Sequence, residues 1–201
     1  MPFRDRVTVV LAAGLLAGIA LPAMAGPVDD GQLATARGDY GAAVRAWRPL
    51  AQHGDPAAQY DLGLAYADHR GVPQDYRQAM RWYRKAADQG YARAQDGIGD
   101  MYYLAVGVGQ DFGQAARWYR KAADQGYRQA QTSLGILYAS GSGVPQDDVQ
   151  AYMWFTLAIA ADTASDADPQ DEMRLRRTVA AKMSAADIAK AQVLASQWVR
   201  K

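Results

Sequence analysis

The sequence predicts an all-α protein built as a solenoid of stacked helix pairs, and three observations carry that prediction. The first is RWYRKAADQGY, which occurs twice without a change, at Arg81–Tyr91 and Arg117–Tyr127. Eleven identical residues at an offset of 36 mark an internal repeat, and self-similarity at such a period signals a repeat architecture. The second is that the same offset carries the flanking segments. AQYDLGLAY (Ala58–Tyr66) aligns with AQDGIGDMY (Ala94–Tyr102) and AQTSLGILY (Ala130–Tyr138), and RGVPQDY (Arg70–Tyr76) with VGVGQDF (Val106–Phe112) and SGVPQDD (Ser142–Asp148). The third is spacing: Ala58, Leu62 and Tyr66 stand four apart, as do Trp82 and Ala86, and Tyr83 and Ala87, which lines apolar pairs along helices.

Residues 1–25 are set apart from the fold. Arg4 and Arg6 precede an apolar run, Val7–Leu21, that closes with Ala23-Met24-Ala25, the layout of a secretory signal peptide. The run is 15 residues long, short of the ~20 that span a bilayer as a helix. Gly26 follows the predicted cut where a lipoprotein would carry cysteine, which argues against a lipid anchor. The expected product is periplasmic or secreted, cleaved near Ala25, with no stable membrane insertion afterwards.

Residues 26–55 read as an N-terminal capping half-repeat. Asp29–Arg37 is helix-compatible, and Gly38-Asp39 turns the chain into a leading second helix, Tyr40–Gln52. There Asp39, Tyr40, Ala43 and Gly54 match Asp75, Tyr76, Ala79 and Gly90. Pro49 lies inside that helix and is expected to bend or shorten it, because proline lacks the amide donor. Three full helix–loop–helix units follow, at 56–91, 92–127 and 128–163. Gly63, Gly99 and Gly135 fall mid-helix, where glycine costs about 1 kcal/mol relative to alanine, so the partner helix is expected to pass too closely for a side chain. Asp75, Asp111 and Asp147 precede each second helix and are placed to cap its free N–H groups. Gly90 and Gly126 stand where a helix stops and the chain takes positive φ.

The third unit departs from the others. Leu157 and Ile159 replace Lys85 and Ala87, and Asp162 replaces Gly90, leaving an apolar end surface that needs a cover. After the small, acidic linker Thr163–Asp168, Asp168-Pro169 reads as a helix start and the helix as running through about Met183. Ser184 with Asp187 resembles a capping box for a last helix that ends near Trp198. Residues 164–201 are thus the C-terminal cap.

The combined pattern A-x-A-Q-x-x-L-G-x-x-Y, G-V-x-x-D-x-x-x-A and W-Y-x-x-A-A-x-x-G, from about Asp29 to Asp162, resembles the Sel-one-like repeat, a longer-looped relative of the tetratricopeptide repeat. The resemblance implies a right-handed α-α superhelix and a protein-binding scaffold or adaptor, with relatives in envelope assembly, polysaccharide export, secretion or host contact. Some members are linked to hydrolysis of cell-wall-related compounds, which makes a β-lactamase-like or peptidoglycan-directed hydrolase the alternative. Those members are rich in cysteine, and this chain has none.

Composition and motifs point the same way. The formal net charge is +1, and removing Arg4, Asp5 and Arg6 leaves 20 basic and 20 acidic residues, which gives no electrostatic reason to expect nucleic acid. No metalloprotease helix, nucleophile elbow or phosphate loop occurs. Gly97-Ile98-Gly99 opens like a dinucleotide fingerprint, but Tyr102 stands where the third glycine belongs. His53 and His69 align with non-histidines in the other units and read as surface residues. No catalytic, cofactor or metal residue is therefore assigned. Arg77, Arg81, Arg84 and Lys85, with Arg117, Arg120 and Lys121, form a basic stripe along the second helices. It reads as a solvated convex face, with Asp88 and Asp124 in helical reach of Arg84 and Arg120.

The surface suited to work is the concave side lined by first helices. Positions that differ between units should set partner choice there: Asp61, Leu64 and Asp68; Gly97, Asp100 and Leu104; Ser133, Ile136 and Ser140. Spacings of 3, 4 and 7 put each trio on one helix face, shaped for a helix or an extended peptide from an expected protein partner of the cell envelope. A homo-oligomer assembled through the apolar C-terminal region is the third reading.

Overall fold

In a computed structural model, described for residues 27–161 and 169–198, ten helices follow one another among the described residues: α1 (Pro27–Ala36), α2 (Tyr40–Gln52), α3 (Pro56–Ala67), α4 (Tyr76–Asp88), α5 (Ala92–Tyr103), α6 (Phe112–Asp124), α7 (Arg128–Ser140), α8 (Asp148–Ala160), α9 (Gln170–Ala180) and α10 (Ala185–Gln197). Each helix packs on the next as far as α9, and α10 folds back onto α8. That serial packing is the solenoid expected. The predicted leader, the linker Thr163–Asp168 and the Asp168 cap lie outside the described residues.

The starts of the helices follow from the aspartates. The Asp75 side chain accepts from the amides of Arg77 and Gln78, Asp111 from Gln114 and Asp147 from Gln150, which satisfies donors that have no partner within the helix. Asp39 and Asp55 cap α2 and α3 in the same way. The ends use glycine: Gly90 at φ +86° and Gly126 at +81° turn the chain from second helix to first.

The core is a row of equivalent clusters. Val44, Trp47, Leu62 and neighbours from α2 and α3 form one, with Trp82 of α4 packed against it. Met80, Tyr83, Ile98 and Met101 form the next, with Trp118 against it. Tyr119, Leu134 and Leu137 form a third that takes in Trp154 directly. The tryptophans Trp82, Trp118 and Trp154 of α4, α6 and α8 thus each close the cluster of the unit before. The mid-helix glycines meet aromatic rings of the second helices first, and a Cβ at Gly63 would also meet the Ala79 carbonyl oxygen at 3.3 Å. A Cβ at Gly63 or Gly99 would lie 2.5 Å from Tyr83 or Tyr119, and one at Gly135 would lie 2.6 Å from Phe155.

The loops before the second helices reach back along the array. A Cβ at Gly71 would fall 2.3 Å from the Tyr40 carbonyl oxygen, and one at Gly143 would fall 2.2 Å from the Phe112 carbonyl carbon, both at positive φ. Glycine is required twice over, by conformation and by space. Each long loop therefore clasps the start of the preceding second helix.

Two expectations need correction. Pro49 does not shorten α2, whose 13 residues equal those of α4. It sits in the last turn on the exposed side, so only one helical bond is lost, and its carbonyl still accepts from the His53 amide and ring. Helix α9 ends at Ala180, not near Met183, and begins at Gln170 with Pro169 just outside it. In the C-terminal region Val179 and Ala191 bury against Tyr152 and Phe155, while Trp198 meets Trp154 edge to face at 6.5 Å.

Candidate partner-binding groove

Helices α3, α5 and α7 lie one unit apart, and their variable positions open into three successive cavities. The first, about 150 Å³, lies between α1, α2 and α3 and is lined by Trp47, Asp61, Leu64 and Arg70 among others. The second, about 330 Å³, lies between α3 and α5, with Leu64, Asp68, Gly97, Asp100 and Leu104 on its walls together with Tyr60, Tyr83, Arg93 and Asp96. The third, about 230 Å³, holds Asp100, Leu104, Ser133 and Ile136 against Tyr103 and Tyr119. Leu64 is shared by the first two cavities, and Asp100 and Leu104 by the last two, so they form one groove. Leu104 is 62% exposed at its centre.

Eight of the nine sequence-selected residues line these cavities. Ser140 does not: its hydroxyl is engaged with Ser142 at 2.9 Å, beside the loop that follows α7. Asp68 is also held, by an exposed ion pair with Arg70 at 3.0 Å.

The electrostatics of the groove are those of crowded acids. Burial pushes Asp61 up to about 6, against the pull of Arg93. Burial first, and then the charge of Asp100, pushes Asp96 up to about 8. Burial also raises Asp100, against the stabilising hydrogen bond it accepts from the Tyr119 hydroxyl at 2.7 Å. Oδ1 of Asp96, in contrast, is buried with no hydrogen-bond partner.

Beyond the third cavity α7 is tied to α9. Arg128, 6% exposed, grips Glu172 of α9 through two nitrogens at 2.9 and 3.2 Å, and Thr132 donates to the same carboxylate at 3.1 Å. Burial alone would raise Glu172, but these hydrogen bonds, its own backbone amide and the Arg128 charge hold it below the usual carboxylate range.

A family model, the Sel1 repeat, matches residues 56–91, 92–127 and 128–162. The chain belongs to the Sel1 repeat family. Among solved Sel1 repeat structures it is similar to a protective antigen of uropathogenic Escherichia coli displaying an SLR fold, at 30% identity and TM-score 0.70. That match covers 85% of this chain and 40% of the other, so the present chain spans less than half of that relative. It is also similar to a Sel1 repeat protein from Oxalobacter formigenes at 36% identity and TM-score 0.57, covering 65% of this chain and 95% of the other. No curated protein matches it. Solenoids of this kind generally serve as protein-interaction scaffolds.

Sequence reasoning missed Tyr60, Tyr83, Arg93, Asp96 and Tyr119 as groove residues. The available signal was position 96, where the neighbouring units of this Sel1 repeat array have Tyr60 and Thr132 and only the middle unit has an acid. The basic stripe also takes a form that spacing did not reveal. Lys85 sits 4.2 Å over the Trp82 ring and Lys121 4.0 Å over Trp118, while Arg84 and Arg120 donate to the hydroxyls of Tyr102 and Tyr138. These contacts stack exposed lysines on partly buried tryptophans of the second helices. His53 is exposed with its ring against the Pro49 carbonyl. The His69 ring accepts from the Gln74 amide in a left-handed turn at φ +58°. Among the described residues no group of acids and histidines could hold a metal ion, and no helix is long and apolar enough to cross a membrane.

Proposed function

We propose that this Sel1 repeat protein is exported and works as a non-enzymatic adaptor that holds a segment of a partner protein in the groove of α3, α5 and α7. The carrying observation is the groove itself: three cavities joined through Leu64, Asp100 and Leu104, walled by the positions that vary between otherwise repeated units. Repeated positions build the solenoid; variable ones on its lining are free to select. An exposed leucine flanked by pockets on both sides suits an apolar anchor of an extended or helical segment. Export is supported by the charged start, short apolar run and Ala-Met-Ala end of residues 1–25.

The adaptor reading is tested by cross-linking in cells, comparing the native chain with a Leu64→Arg, Leu104→Arg variant. One envelope protein captured by the native form and lost from the variant is the expected result. Capture that survives both substitutions would place binding elsewhere. N-terminal sequencing of the protein from the envelope fraction is expected to begin at Gly26; a retained Met1 would sink the export reading.

A further inference from the structure

We infer that the cavity between α3 and α5 receives a lysine or arginine side chain of the bound segment, with the Asp96 carboxylate as its acceptor. The inference rests on the groove being the binding face.

Asp96 is 9% exposed, it lines the largest of the three groove cavities, and its Oδ1 has no donor anywhere in the described chain. Burying a polar oxygen without a hydrogen bond is costly, and more so for a carboxylate. The charge that acts most strongly on it is that of Asp100, of the same sign. The fold does not require an acid here, since Tyr60 and Thr132 occupy the equivalent positions in the adjoining units. Nothing in the described chain compensates a charge here, so the unbound acid holds its proton; a bound cation with N–H donors would supply the missing complement and release that proton.

The surroundings fit a basic side chain on a peptide. Tyr60 stacks on Tyr83 at 5.5 Å and meets Tyr91 at 5.6 Å, making an aromatic wall. Ring faces attract cations and also pack along the aliphatic stem of lysine or arginine. With Asp68 and Arg70 paired to each other, Asp61 and Asp100 face Arg93 as the remaining cation on the cavity walls, which leaves the groove with acid in excess. An anionic segment meets the wrong sign. A metal ion lacks ligands, since no cluster of three or more suitable groups is present among the described residues. One oxygen of Asp100 accepts from Tyr119, whereas Asp96 accepts from no donor of the described chain.

The test is selection of phage-displayed random dodecapeptides on the purified, signal-processed protein. Recovered peptides are expected to share one lysine or arginine at a fixed place beside an apolar residue. A synthetic peptide of that sequence should bind Asp96→Asn about tenfold more weakly, the loss typical of a charge-assisted hydrogen bond. Replacing its basic residue by norleucine should cost the same factor, and combining the two changes should cost no more than either alone. Asn is nearly isosteric, and circular dichroism with thermal melting confirms that the variant is folded. Peptides without a basic residue that are lost on Leu104→Arg would overturn this inference and leave the adaptor reading standing. Recovery of no peptide, or of peptides indifferent to Leu104→Arg, would overturn both.

Discussion

Two carboxylates, the buried Asp96 in the middle unit and the partly buried Glu172 of α9, sit along the same row of helices and have opposite surroundings. Glu172 is met by two nitrogens of Arg128 and by the Thr132 hydroxyl, and it is held ionised. Asp96 is met by none and keeps its proton to about 8. The pair distinguishes a finished contact from an unfinished one. Where the array must stop, α9 is docked on α7 by a charge pair that leaves no oxygen unsatisfied. Where the array stays open, an acid is left waiting.

Removing the paired acid should have the largest effect. Glu172→Ala takes a two-nitrogen partner from Arg128, which is 6% exposed, and loss of one partner from a buried pair costs roughly 3–5 kcal/mol. The expected value is about 3 kcal/mol, since Glu172 lies at the first turn of α9 and is itself only partly buried. Urea unfolding followed by tryptophan fluorescence measures it. A loss under about 1 kcal/mol, the range of exposed pairs, would show that the cap is not held by this bond.

The unpaired acid is tested by pH. In the folded chain Asp96 keeps its proton up to about 8, whereas its ordinary value is 3.8. Between those values the unfolded chain has lost the proton and the folded chain has not. Rising pH therefore favours unfolding, by at most about 1.4 kcal/mol per unit, and the effect ends above the folded pKa. Asp61, raised to about 6, adds to the fall in the lower part of that window. Glu172 acts oppositely: its contribution is complete above the ordinary carboxylate range and is lost as pH falls through its lowered pKa. Melting temperatures of Asp96→Asn are expected to decline less between pH 5 and pH 8 than those of the native chain. Parallel declines would show that water already serves Asp96.

The smallest effect concerns a second repeated contact that changes at the end of the array. Gln59 and Gln95 donate to Ala51 and Ala87 carbonyls, and their own oxygens accept from Gln89 and Gln125 at 2.8 Å. Gln131 makes the first bond, to Ala123, but Ala161 stands where Gln89 and Gln125 would be, and its Oε1 is buried without a partner. Gln95→Leu is expected to cost about 1–3 kcal/mol, whereas Gln131→Leu, which also removes an orphaned oxygen, should cost less than 1 kcal/mol. Equal losses in chemical denaturation would erase the distinction between inner and terminal units.

The architecture was legible because the 36-residue offset fixes register at once for helix faces, caps and turns. The variable trios were legible because they break that register on one helix face. Asp96 was not, since its burial is imposed by side chains of other helices, among them Tyr60 and Tyr83. The glutamine ladder escaped notice because a repeated polar residue looks like surface until its partners are placed. Pro49 misled because proline is costly only where its missing donor would be needed, and the last exposed turn of α2 tolerates it.

The identical seams at Arg81–Tyr91 and Arg117–Tyr127 have a consequence for heredity. Both end a second helix, present the same turn to the next first helix and offer the same carbonyl, Ala87 or Ala123, to its glutamine. A crossover between the two stretches would delete or duplicate 36 residues and keep the turn and the glutamine–carbonyl bond at the new boundary. Deletion would remove Asp96 and its cavity as one block, and duplication would add another copy downstream. The length of the groove, and the number of basic residues it could read, are therefore quantities that can change by whole steps in a single event, with the seam between units kept.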